Sequence, residues 1–112
     1  MRIPKRSALE SISKIEHSVK PPPSVSAVTL ARSIAYLIEN HRFPMPFVFP
    51  TEIGGIQFEW KGSARELNLE ILPEIDRLAF LKILNGSPLV EGEITNNVEQ
   101  EVYRLIDWML SA

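Results

Sequence analysis

The spacing of apolar residues changes along the chain, and each change marks an element. Leu9, Ile12, Ile15 and Val19 recur at near-helical intervals and form one narrow stripe. Ser7 followed by Glu10 has the form of a capping box, so residues 1–20 contain a short amphipathic helix. Pro21, Pro22 and Pro23 stop it, because each lacks an amide hydrogen and pushes the preceding residue out of the α region. Ser24 is placed to cap a second helix that runs to about Asn40, with Val28, Ala31, Ile34, Ala35 and Ile38 as its core stripe, widened by Leu30 and Leu37. Pro44, Pro46 and Pro50 then reduce Phe47-Val48-Phe49 to a short strand, at an edge or leading into the sheet.

After Gly54-Gly55 the period becomes two. Ile56, Phe58 and Trp60 alternate with Gln57, Glu59 and Lys61, and beyond a turn at Gly62-Ser63 the residues Leu67, Leu69 and Ile71 alternate with Glu66, Asn68 and Glu70. Two neighbouring antiparallel strands follow, each with one oily and one wet face. The next strand, about Arg77 to Leu84, is apolar on both faces: Leu78, Phe80 and Leu84 share one side with Lys82, while Ala79, Leu81 and Ile83 make the other. Such a strand calls for cover on both sides. Asn85-Gly86 signals a type I′ hairpin leading to a strand from about Leu89 to Ile94, which Pro88 places at an edge. The last helix has Asn96 and Glu99 as cap and partner, a stripe of Val98, Val102, Leu105, Ile106 and Met109, and Trp108 beside that stripe.

These elements predict an α+β fold: a four- to five-stranded, mostly antiparallel meander with the second and last helices packed on one face. The N-terminal amphipathic helix either covers an edge or reaches a neighbour. Residues 1–20 form a basic arm and residues 21–112 a single domain. With 112 residues and 45% apolar content the chain is large enough for one core without staples, and its lack of cysteine excludes disulfides and thiol chemistry. No apolar run approaches the roughly 20 residues that span a bilayer. The start lacks the unbroken apolar stretch of a secretory signal, so a cytoplasmic location is expected and a membrane partner is not.

Charge divides the chain. Residues 1–20 carry Arg2, Lys5, Arg6, Lys14 and Lys20 against Glu10 and Glu16, a balance of +3, so from the total of −2 the remainder carries −5. The main body therefore repels a phosphate backbone, and nucleic acid is expected only at the arm, through Arg2, Lys5 and Arg6.

The sharpest catalytic candidate is Glu59 with Lys61, which point to the same side of a strand and resemble half of a restriction-endonuclease-like metal site. The missing acid would come from Glu52 or Glu70, giving a small metal-dependent nuclease or hydrolase built on Glu59, Lys61 and Glu70. Alternating Glu and Lys is more often a solvated strand face with charges paired across strands, and the same holds for Glu59, Glu66 and Glu70 read as an acid–base set. His17 and His41 are separated by the proline block and suit helix ends better than a metal. No glycine pair opens a helix to cradle phosphate, and no serine sits in a strained strand-to-helix turn. Neither a cofactor nor a resident metal is expected.

Pro22-Pro23-Ser24, Ala31 and the string Pro46-x-Val48-x-Pro50-Thr51-x-x-Gly54-Gly55-Ile56-Gln57-Phe58-Glu59-Trp60 resemble a group of small bacterial proteins of unassigned function. The resemblance covers about residues 21–72 and implies a helix followed by a β-meander. Many of that group carry Trp-Asp-Gly before the proline–serine step, where this chain has Ile15-Glu16-His17-Ser18, and an Asp-Gly turn where it has Pro73-Glu74-Ile75-Asp76. The group is similar to accessory proteins of mobile elements and of defence or toxin–antitoxin loci.

The functional expectation is a non-enzymatic interaction module, an antitoxin- or inhibitor-like accessory protein or a homodimer. Its docking residues would be Leu9, Ile12, Ile15 and Val19 on the arm helix and Ala79, Leu81 and Ile83 on the third long strand, because both surfaces lack an evident cover within the chain.

Overall fold

A computed structural model describes residues 7–18, 21–74 and 77–111. The order is α1 (Ala8–Ser18), α2 (Val25–Asn40), β1 (Phe47–Pro50), β2 (Ile56–Lys61), β3 (Arg65–Ile71), β4 (Leu78–Leu84), β5 (Ser87–Ile94) and α3 (Val98–Leu110). The fold is α+β. The strands form one five-stranded sheet in the order β1-β2-β3-β4-β5, antiparallel throughout, so β1 and β5 are its edges.

Alternation decides which face is dry. Ile56, Phe58, Trp60, Leu67, Leu69 and Ile71 all project to one side and are at most 2% exposed. Against them pack Ala27, Val28, Ala31, Ile34, Ala35 and Ile38 of α2, and Val102, Leu105, Ile106 and Met109 of α3. α2 lies over β2 and β3, and α3 lies beside it over β3. Trp60 keeps its indole N–H satisfied by donating to the Pro44 carbonyl at 2.8 Å.

The N-terminal helix belongs to this same core. Ser7 accepts the Glu10 amide hydrogen, as its capping-box pattern requires, and α1 packs on α2 and β1. Ala8, Ile12 and Ile15 are buried, Leu9 packs on the core as a partly buried residue, and Arg32 of α2 donates to Glu16. The α1 stripe is therefore covered by its own chain, and Ile12 and Ile15 are core residues instead of a surface for a partner. Val19, like Arg2, Lys5 and Arg6, lies outside the described residues.

The Pro-Ser and Pro-Thr-x-x-Gly-Gly strings build a clamp at one end of the sheet. Ser24 accepts the Ala27 amide as N-cap of α2, donates its own amide to the Gly54 carbonyl, and donates its hydroxyl to the Pro73 carbonyl at 2.8 Å. Thr51 Oγ1 accepts from Gly55 N at 2.9 Å, closing the β1–β2 turn. A side chain at Gly55 would place its Cβ 2.2 Å from the Ile71 carbonyl oxygen, so only glycine lets the turn lie against β3.

Three details of element ends and facing go beyond the sequence expectation, and the cap of α3 departs from it. α2 ends through backbone geometry, with Arg42 at φ 53°, its amide donating to Glu39 O and that of Phe43 to Ile38 O, which is a Schellman motif formed before the prolines begin. α3 is entered from Asn97 at φ 52° with no side-chain cap, instead of from Asn96, and Glu99 and Glu101 complement the dipole of its first turn. Lys82 occupies the helix-facing side of β4 because its ammonium lies 5.0 Å from the centre of the Trp108 ring, which Arg65 also covers while donating to the Trp108 carbonyl. The Asn85-Gly86 hairpin forms as expected, with φ of 51° and 80°.

If α1 is part of the core, Ile12→Ala should lower unfolding free energy by about 2–4 kcal/mol, the cost of a core cavity, in urea titration of the full chain. Gly55→Ala should also destabilise, because the clash is with backbone that cannot move without breaking the β2–β3 ladder; a thermal midpoint equal to that of the parent would contradict this packing.

Candidate functional site

The face of the sheet opposite the helices carries the residues left over by alternation. Register places Phe47 and Phe49 on β1, Gln57, Glu59 and Lys61 on β2, Glu66, Asn68 and Glu70 on β3, Ala79, Leu81 and Ile83 on β4, and Glu91 and Glu93 on β5. None of them is among the buried core residues. Ala79, Leu81 and Ile83 are half-buried instead of fully exposed.

Each member of that apolar row has a carboxylate directly across from it. Glu70 opposes Ala79 and Glu66 opposes Ile83 from β3, while Glu91 opposes Leu81 from β5. Two other acids on the face are neutralised: Glu59 by Lys61 at 3.3 Å, and Glu93 by Arg77 at 2.6 Å. The hydrogen bond to Glu93, together with its charge, raises the Arg77 pKa above its ordinary value, with a smaller contribution from Glu74. Among the described residues no ion pair forms at Glu66, Glu70 or Glu91.

Asn68 faces Leu81 from β3, between Glu66 and Glu70. Its Oδ1 is buried and has no hydrogen-bond partner among the described residues. A groove of about 260 Å³ runs past it, lined by Gln57, Asn68, Glu70, Ala79, Phe80, Leu81 and Glu91. Apolar surface continues toward the tip of the β4–β5 hairpin, where a register shift between Lys82 and Ile83 accompanies Leu89, 50% exposed; Val90 pairs with Lys82 and shares the other side of the sheet.

The catalytic candidates do not assemble. Lys61 is engaged by Glu59, Glu70 lies diagonally across the strand pair with Gln57 as its direct partner, and Glu52 is exposed in the β1–β2 turn. Among the described residues no group of three His, Asp or Glu side chains is placed to hold a metal ion. His17 is exposed beside Glu16 at the end of α1. His41 caps α2, stacks on Phe43 and meets the Tyr103 ring edge-on. No helix among the described residues is long and apolar enough to cross a membrane.

Alternation in the sequence places Ala79, Leu81 and Ile83 on one side of β4, as the register has them, whereas the arm stripe expected to dock a partner is buried in the core. Sequence reasoning missed the aromatic pair at β1, although Val48 between two phenylalanines already divides that strand into faces. It also missed Asn68, whose role depends on register.

Comparison of the chain with protein-family models, with curated proteins and with solved structures returns no match. The geometry of the face therefore carries the functional reading.

Because the β4 row contributes little to the core, Leu81→Thr and Ile83→Thr should each cost less than about 1.5 kcal/mol, whereas Leu69→Thr on the dry face should cost about 3 kcal/mol or more. Urea unfolding of the three variants checks this, and equal losses at all three positions would mean that the outer row is as enclosed as the core.

Proposed function

We propose that this protein is a non-enzymatic protein–protein interaction module of the antitoxin- or inhibitor-like accessory kind, docking through the outer face of its sheet along β4. The observation that carries the reading is the row Ala79, Leu81 and Ile83 on a sheet face that no described element covers. A wet antiparallel face ordinarily bears polar residues at such positions, so three successive apolar ones indicate contact with another surface. The exposed Leu89, which lines a shallow pocket together with Leu81 and Glu91, extends it. Interaction through α1 has no part in this reading, since its stripe is enclosed.

The test compares the parent chain with Leu81→Glu as bait in an extract of the native cell, together with light scattering of each over a range of concentrations. A discrete partner, or a dimer, formed by the parent and lost with Leu81→Glu at unchanged thermal midpoint is the expected result. Retention of the same species by both baits, or a monomer that retains nothing, would refute it.

A further inference from the structure

Docking along β4 leaves the partner's chemistry open, and the charges around the row narrow it; the identity of the partner rests on that docking reading. Two copies meeting through this face would bring Glu66, Glu70 and Glu91 of each against their counterparts around an apolar contact. Among the described residues neither copy offers a free cation there, because Lys61 and Arg77 are already held by Glu59 and Glu93. Desolvating like charges together opposes association, so a second copy is disfavoured as occupant. An anionic surface, nucleic acid or lipid, is repelled for the same reason. We infer that the outer face of β4 receives a cationic amphipathic helix of another protein, with its apolar stripe on Ala79, Leu81 and Ile83 and Arg or Lys side chains reaching Glu66 and Glu70 on one flank and Glu91 on the other.

The dimensions agree with such an occupant. From Ala79 to Ile83 the strand extends about 13 Å at roughly 3.3 Å per residue, the length of about nine helical residues at 1.5 Å each. That length presents three stripe positions at i, i+3 or i+4, and i+7, one for each residue of the row. Carboxylates on both sides of the row match basic residues on both sides of a stripe. The unpartnered Oδ1 of Asn68 stands between the two β3 carboxylates and beside Leu81, in the groove of about 260 Å³. It needs a donor and has none among the described residues. An arginine lying with its methylenes on Leu81 and its guanidinium toward Glu70 supplies N–H groups in the fork geometry that reaches both.

The experiment is an NMR titration of the isotopically labelled full chain with two synthetic helical peptides. Both carry leucines at i, i+3 and i+7, flanked in one by arginine and in the other by glutamine. The arginine peptide should shift the amides of Asn68, Glu70, Leu81 and Glu91 and bind at least about tenfold more tightly than the glutamine peptide. That preference should fall with added salt and vanish in the Glu70→Gln, Glu91→Gln double variant, whose exposed or half-exposed substitutions leave the core untouched. Equal binding of both peptides to the face would overturn the cationic partner while leaving the docking reading intact. Shifts confined to the helices, or none with either peptide, would overturn the inference, and the comparison of the parent with Leu81→Glu then judges the docking reading by itself.

Discussion

A single sheet whose described helices all pack on one side leaves its other side to water, and the rest of this molecule follows from how that asymmetry is met. The six large side chains of β2 and β3 commit one face to the core, where α2 and α3 close over them. Strand periodicity then dictates that Gln57, Glu59, Glu66, Asn68 and Glu70 face outward, whatever their function. The clamp at Ser24, Thr51 and Gly55 ties the start of α2 to the β1–β2 turn and the segment after β3, so the helical layer is anchored over the first three strands. The β4–β5 hairpin extends past that cover, which is why residues from Leu81 to Glu93 are nowhere fully buried.

An open sheet also has to avoid pairing with copies of itself. Pro46 just before β1, Pro50 at its end and Pro88 on β5 remove backbone donors at both edges, and the register shift near Ile83 distorts the β5 edge further. The exposed face is protected by charge. Carboxylates that form no ion pair among the described residues stand beside Ala79, Leu81 and Ile83, and their mutual repulsion makes self-stacking of this face unfavourable without removing the apolar row.

Much of the fold was legible from residue order because local signals agreed with one another. The period-two runs at Ile56–Lys61 and Arg65–Ile71, the Asn85-Gly86 turn and the Ser24 cap each have a single structural solution. What remained hidden depends on tertiary placement. The stripe Leu9, Ile12 and Ile15 predicts a covered helix but does not say whether its own domain or a neighbour covers it; contact with α2 and β1 settles that. Lys82 on an oily face becomes intelligible only once α3 brings Trp108 over it. At the site, alternation exposed the row Ala79, Leu81 and Ile83, while the pairing of each member with a particular carboxylate, and the isolation of Asn68 Oδ1, required the strand register.

The free protein shelters one face of its sheet and leaves the other wet. Methyl relaxation in the presence of a soluble paramagnetic agent tests it directly, because the enhancement falls steeply with depth below the surface. Leu81 and Ile83 methyls should relax strongly, while those of Leu69, Ile71 and Ile106, all 0% exposed, stay near their unperturbed rates. Protection of Leu81 and Ile83 equal to that of Leu69 in the isolated monomer would mean that both faces of the sheet are enclosed.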